Sequence, residues 1–190
     1  MRSRGFTLVE LLVSTAIFAV VMTISVGALL SLADANKKAQ AIKSVMNNLN
    51  FALESMARNM RVGFDYHCEE IGTLSNIETP QDCSSNGGVL LAFEAHDGNI
   101  ETSADQVVYR YDATNKRIER SEDGGATFSY VTAPEVQIDE LKFYALNTSR
   151  ADNNQAKIVI TLKGTAQASD LRIATTFAIQ TTVSQRLLDI

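Results

Sequence analysis

Tryptophan is absent from these 190 residues, and proline, cysteine and histidine number two each. Two cysteines are too few for a disulfide-built scaffold. Two histidines, with no Gly-x-Ser-x-Gly elbow and no Gly-rich phosphate loop, leave nucleophilic and nucleotide chemistry without a starting point. Basic charge is in deficit as well. The chain has 17 Lys and Arg against 22 Asp and Glu, a net charge of −5, which argues against a basic nucleic-acid binder. At 45% hydrophobic residues, collagen and low-complexity disorder are excluded.

The apolar residues that are present are unevenly spread. Leu11 to Ala33 is a run of 23 residues without a charge or a proline. As a helix it measures about 34 Å at about 1.5 Å per residue, enough for a hydrocarbon core of about 30 Å. Arg2 and Arg4 precede it, and Glu10 stands at its head. A carboxylate at the edge of hydrocarbon costs about 2.5 kcal/mol or more, so Glu10 calls for either a partner or a route to the headgroups.

The residues GFTLVELLVSTAIFAVV, behind the short basic leader MRSRG, resemble the start of a type IV prepilin or pseudopilin. The resemblance implies that a prepilin peptidase cuts between Gly5 and Phe6 and methylates the new Phe6 amine. It also implies that Glu10 attracts the α-amine of a neighbouring subunit in the filament. Burying that ammonium and that carboxylate is tolerable only if they pair, because each unpaired ion costs several kcal/mol. The implied partners are other pilin or pseudopilin subunits, the peptidase, an inner-membrane assembly platform and the lipid bilayer. The implied location is a single pass through the cytoplasmic membrane, with the N-terminus cytoplasmic and the head outside. A competing reading is a secretory signal cleaved after Val26, Gly27 and Ala28, so that the mature chain begins at Leu29.

Beyond the membrane run, Ile42, Val45, Met46, Leu49, Phe51, Leu53, Met56 and Met60 mostly recur at three and four, the stripe of an amphipathic helix. Gly63 is a stop signal. The simplest expectation is one helix from Phe6 to Val62, with Gly27 the place to bend or melt. The domain boundaries follow: leader 1–5, membrane or filament-core helix 6–33, amphipathic continuation 34–63 and head 64–190. Charge divides in the same way. Asp34 to Val62 carries five basic and two acidic residues, net +3, whereas Gly63 to Ile190 carries ten basic and nineteen acidic, net −9. An acidic head repels phosphate backbones, so no nucleic-acid contact is expected from it.

After Gly63 the pattern changes to short runs bounded by turn residues. Strands are expected at Val89–Phe93, Val107–Tyr111, Arg117–Arg120, Phe128–Val131, Val136–Ile138, Leu141–Leu146, Lys157–Leu162 and Arg172–Val183, with the second and third forming a hairpin. No crossover helices are available, so the sheet should be antiparallel. The fold class is α+β, a long transmembrane and amphipathic helix packed on an antiparallel head. VVYRYDATNKRIERSEDG resembles the recurring tyrosine-strand, turn, arginine-strand element of pseudopilins, and VQIDELKFYAL and FAIQTTVSQRLLD resemble the final strands of the J-type minor pseudopilin and the related W-type minor pilin. That resemblance implies a place near a filament tip and a part in starting assembly.

Cys68 and Cys83 lie fifteen apart in a turn-rich stretch. In an oxidising compartment a disulfide there is worth about 3 kcal/mol. A zinc site of His67, Cys68, Cys83 and His96 is the alternative, with two thiols rather than four and no short paired spacing. Neither Asp97, Asn99 and Glu101 nor Asp123 with Gly124 and Gly125 matches an EF-hand loop. Neither cofactor nor metal is expected, and no enzymatic activity. Besides the filament subunit, two functions stay open: a tip adhesin acting through the Cys68–Cys83 loop, and a soluble domain freed by signal peptidase.

Overall fold

The computed structural model describes residues 5–150, 154–167 and 174–186. The chain forms two compact units, Met1–Gln40 and Ala41–Ile190. A single helix, α1 (Leu8–Val62), supplies the first unit and enters the second.

In the first unit α1 is apolar and exposed, and it is long and apolar enough to cross a membrane. The hydroxyls of Ser14, Thr15, Thr23 and Ser25 turn inward to helix carbonyls. Ser14 donates to Leu11 O at 3.0 Å, Thr23 to Ala19 O at 2.8 Å and Ser25 to Val21 O at 2.7 Å. Such back-bonding hides polar groups that hydrocarbon would not solvate. The helix runs unbroken through Gly27, so the expected melting there does not occur.

In the second unit α1 buries Val45, Leu49, Ala52, Leu53, Met56 and Met60 against the sheets. This corrects the expected stripe at one place. Phe51 is 78% exposed, and Ala52, one position on, takes the buried site. The 3.6-residue period carries position 51 to the outer face whatever its apolarity. The helix ends against its own sequel. The Tyr66 hydroxyl reaches the carbonyls of Met60 and Gly63, the latter at 2.7 Å, and so satisfies groups the last turn leaves open. Gly63 is required by packing, since a Cβ there would sit 2.4 Å from Phe93 Cδ2.

Eight strands follow among the described residues: β1 (Phe64–Glu69), β2 (Leu90–Glu94), β3 (Val107–Asp112), β4 (Arg117–Ser121), β5 (Ser129–Tyr130), β6 (Val136–Leu146), β7 (Lys157–Gln167) and β8 (Ala174–Ser184). Every paired neighbour is antiparallel. There are two sheets, however, one of order β1-β2-β3-β4-β5 and one of order β6-β7-β8. β1 was not expected; it follows the helix with only Gly63 between. The two strands expected at 136–138 and 141–146 are one strand with a bulge between Ile138 and Glu140. Asp139 and Glu140 are both exposed, so the buried positions shift phase from Val136 and Ile138 to Leu141, Phe143 and Ala145. The last expected strand begins at 172, outside the described residues, and is seen from Ala174.

The core is continuous across both sheets and α1. Leu49, Met56, Met60, Tyr66, Phe93, Tyr109, Phe143, Ile158 and Ile160 are all at most 1% exposed.

Candidate functional site

Gly5 and Phe6 lie before the first helical turn. Phe6 is 80% exposed, and nothing lies within 4 Å of the position a Gly5 Cβ would occupy. Arg2 and Arg4 of the leader lie outside the described residues.

The helix starts at Leu8 rather than Phe6 because Thr7 caps it. The Thr7 hydroxyl accepts from Glu10 N–H at 3.3 Å, while Glu10 Oε2 accepts from the Thr7 hydroxyl at 3.4 Å and from Thr7 N–H at 3.5 Å. This is a reciprocal capping box, in which the first and fourth residues satisfy each other's backbone donors. The Thr-x-x-Glu spacing is legible in the sequence. It gives Glu10 a local partner beside the intersubunit one that the resemblance implies. The hydrogen bonds to Thr7 engage Oε2, so Oε1 of the same carboxylate is not used by the box. A carboxylate at a helix N-terminus also meets the favourable end of the helix dipole.

In the head, Cys68 and Cys83 are joined in a disulfide. His67 is buried beside them, its Nδ1 2.7 Å from Thr79 O, and His96 is exposed on a loop. The carboxylate of Asp123 is committed to its own turn. It accepts from the Ser121 hydroxyl at 2.5 Å, the Thr127 hydroxyl at 2.6 Å and Thr127 N–H at 2.9 Å, and these bonds hold it at about 2. Asn99 and Asp105 likewise close their loop, Asn99 N–H donating to Asp105 Oδ2 at 2.9 Å. A hollow of about 750 Å³ between α1 and β8, lined by Leu53, Ala57, Arg58, Arg61 and Ile179 among others, contains neither histidine nor cysteine.

Two buried acids escaped sequence reasoning. Asp65 is 2% exposed and meets Arg150 through both oxygens. Glu94 is 1% exposed, and neither of its carboxylate oxygens has a partner in hydrogen-bond geometry among the described residues. Burial pushes the Glu94 carboxyl above the usual carboxylate range; the Gln106 side chain pulls it back, and Asp105 and Asp65 push it further up. Neither acid sits in a pattern that marks it from sequence.

Residues 1–26 match the family model of the prokaryotic N-terminal methylation motif. No curated protein and no solved structure matches the chain. The motif covers Gly5, Phe6, Thr7 and Glu10, the residues whose geometry is given above, and it supports a place for this chain among type IV pilin-like proteins.

Proposed function

We propose that the chain is a minor pilin or pseudopilin subunit, processed between Gly5 and Phe6, methylated on the Phe6 amine and assembled into a filament through α1. Before assembly the apolar run from Leu11 to Ala33 holds it in the cytoplasmic membrane, with the acidic head outside. On polymerisation the same exposed side chains pack against neighbouring helices. The new Phe6 ammonium of one subunit meets Glu10 of another, and pairing those charges in an apolar rod sets the register between subunits. The subunit's work is association. By its head strands it belongs near the tip, where it helps to start the filament.

The observation that carries this reading is the position of Glu10. It is an acid in the first turn of an exposed apolar helix, four residues after Phe6 of a Gly–Phe junction, inside a segment that matches the methylation motif. Mass spectrometry of the mature N-terminus tests it. N-methyl-Phe6 is the expected terminus; Leu29 would mark a secreted domain instead, and an intact Met1 a plain membrane anchor. A Glu10→Ala chain should still enter the membrane yet join filaments poorly.

A further inference from the structure

The two sheets of the head meet along β6 at two joints, and the joints are built differently. At the first, Ile138 N–H donates to Lys116 O at 2.8 Å, the Tyr111 hydroxyl donates to Ile138 O at 2.8 Å, and Lys116 Nζ donates to Asp139 Oδ1 at 3.0 Å. This joint ties the β3–β4 turn to the bulge of β6. At the second, Gly88 and Phe143 exchange backbone hydrogen bonds of 2.7 and 2.8 Å, and Cys83 N–H donates to Ala145 O at 2.9 Å. Ala145 N–H donates to Cys83 Sγ at 2.8 Å, and Asp82 accepts from Thr148 N–H at 2.8 Å and from its hydroxyl at 2.7 Å.

Apart from β6 and Thr148 just beyond it, every group of the second joint lies in the segment 82–88, which belongs to neither sheet. At its Gly88 end that segment runs through Val89 directly into β2, Val89 N–H donating to Glu69 O at 2.9 Å; at its Asp82 and Cys83 end it reaches the first sheet through β1. Gln81 N–H donates to Tyr66 O at 2.9 Å, Cys68 N–H donates to Gln81 O at 3.0 Å, and the disulfide joins Cys68 to Cys83 covalently. Gly88 passes so close to this disulfide that a Cβ there would lie 2.4 Å from Cys68 Sγ. One joint is therefore held by hydrogen bonds and an ion pair alone. The other adds to its hydrogen bonds, at the Asp82 and Cys83 end, a bond that redox chemistry can make or break.

We propose that the Cys68–Cys83 disulfide is a redox latch between the two sheets, with the Lys116–Asp139 joint as its hinge. Closing the latch forms one S–S bond and breaks two S–H bonds. The two electrons and two protons pass to a disulfide-bearing oxidant, whose own S–S bond becomes two thiols. A dithiol reductant reverses the step. Cys83 is the less buried of the pair, so exchange begins there. With the bond broken, the loop it closed regains chain freedom that opposes the second joint on the order of a hundredfold. The hinge residues lose nothing. The latch follows from the head's own geometry and does not require the pilin reading.

Hydrogen exchange followed by mass spectrometry, on the full chain in detergent micelles with and without a phosphine reductant, tests this. A mass gain of two hydrogens verifies reduction. Reduction should speed exchange on the order of a hundredfold in residues 82–87 and at Ala145 and Thr148, while Ile138, Tyr109 and Tyr111 change by no more than a few fold. Unchanged exchange at the second joint, or equal acceleration at both joints, would overturn the latch. The converse variant, Lys116→Ala with Asp139→Ala, should loosen Ile138 and leave Ala145 protected in the oxidised protein; the reverse pattern would also overturn it. Reducing the wild-type chain keeps the test open should Cys68→Ser with Cys83→Ser fail to fold.

Discussion

Arg150 grips Asp65 with two parallel hydrogen bonds, Nε to Oδ1 at 2.6 Å and Nη2 to Oδ2 at 2.5 Å, across 85 residues of sequence. Asp65 pays for its place twice, since it is buried and its φ is +54°. Aspartate is among the few residues that tolerate that region. The guanidinium fork is what makes the buried carboxylate tenable. Arg150→Ala leaves that charge unpaired and should cost about 3 kcal/mol. Arg150→Lys should recover only part of this, because an ammonium cannot form the fork. Urea unfolding of the oxidised protein in micelles reads both values.

Glu94 gives the head a pH dependence of definite sign. Its folded pKa is raised, first by burial and further by Asp105 and Asp65. Ionisation is therefore disfavoured in the folded state. Its contribution to stability is intact below the ordinary carboxylate pKa and is lost as pH rises through the folded value. Glu94→Gln should make the protein more stable than wild type near neutral pH, and the advantage should shrink as pH falls toward 4.5. Denaturation midpoints of the two proteins across that range are the measurement. A constant difference would mean that the carboxyl does not titrate with folding.

Gly63 is a packing residue. Gly63→Ala drives a methyl to 2.4 Å from the buried Phe93 ring and should cost about 1–3 kcal/mol through overpacking. Gly63→Ala with Phe93→Leu should recover part of the loss. Thermal unfolding of the single and double variants decides it.

At the N-terminus, two substitutions separate the cap from the charge. Glu10→Gln keeps an acceptor for the Thr7 donors and so retains the capping box, but it removes the anion. It should leave amide exchange at Leu8 to Leu11 near wild type while filament incorporation falls. Glu10→Ala should loosen those amides as well, by roughly the 1 kcal/mol that a lost cap costs. If Glu10→Gln assembles as well as wild type, capping accounts for the residue and the charge pair is not needed.

The parts of this fold that could be read from sequence are those in which one period holds for many residues. Val45, Leu49, Leu53, Met56 and Met60 keep helical spacing, and Val107 to Arg120 alternates on both sides of a turn, so helix and hairpin stand where expected. Where the period breaks, reading failed. The bulge at Asp139 shifts the phase of β6 and makes one strand look like two. β1 has the burial run iBBBBi with no alternation, and its buried Asp65 and His67 disguise it further. The way the two sheets are joined depends on contacts between residues 82–88 and 143–148, which no local pattern encodes. At the N-terminus, the spacing of Gly5, Phe6 and Glu10 reads as a motif, and residues 1–26 match the methylation-motif model. The Asp65–Arg150 pair was not, because long-range charge pairs leave no local trace.

The bulge of β6 has a consequence for how the chain can vary. One continuous strand serves two different neighbours: Ile138 and Asp139 meet the β3–β4 turn, while Phe143 and Ala145 meet the Gly88 and Cys83 segment. Side chains alternate with a period of two, so removing the extra residue would turn every position beyond it to the opposite face. Lengthening or shortening is therefore tolerable in the turns at either end of this strand and ruinous inside it, and homologues that keep both joints should differ in loop length there but never in the count from Val136 to Leu146.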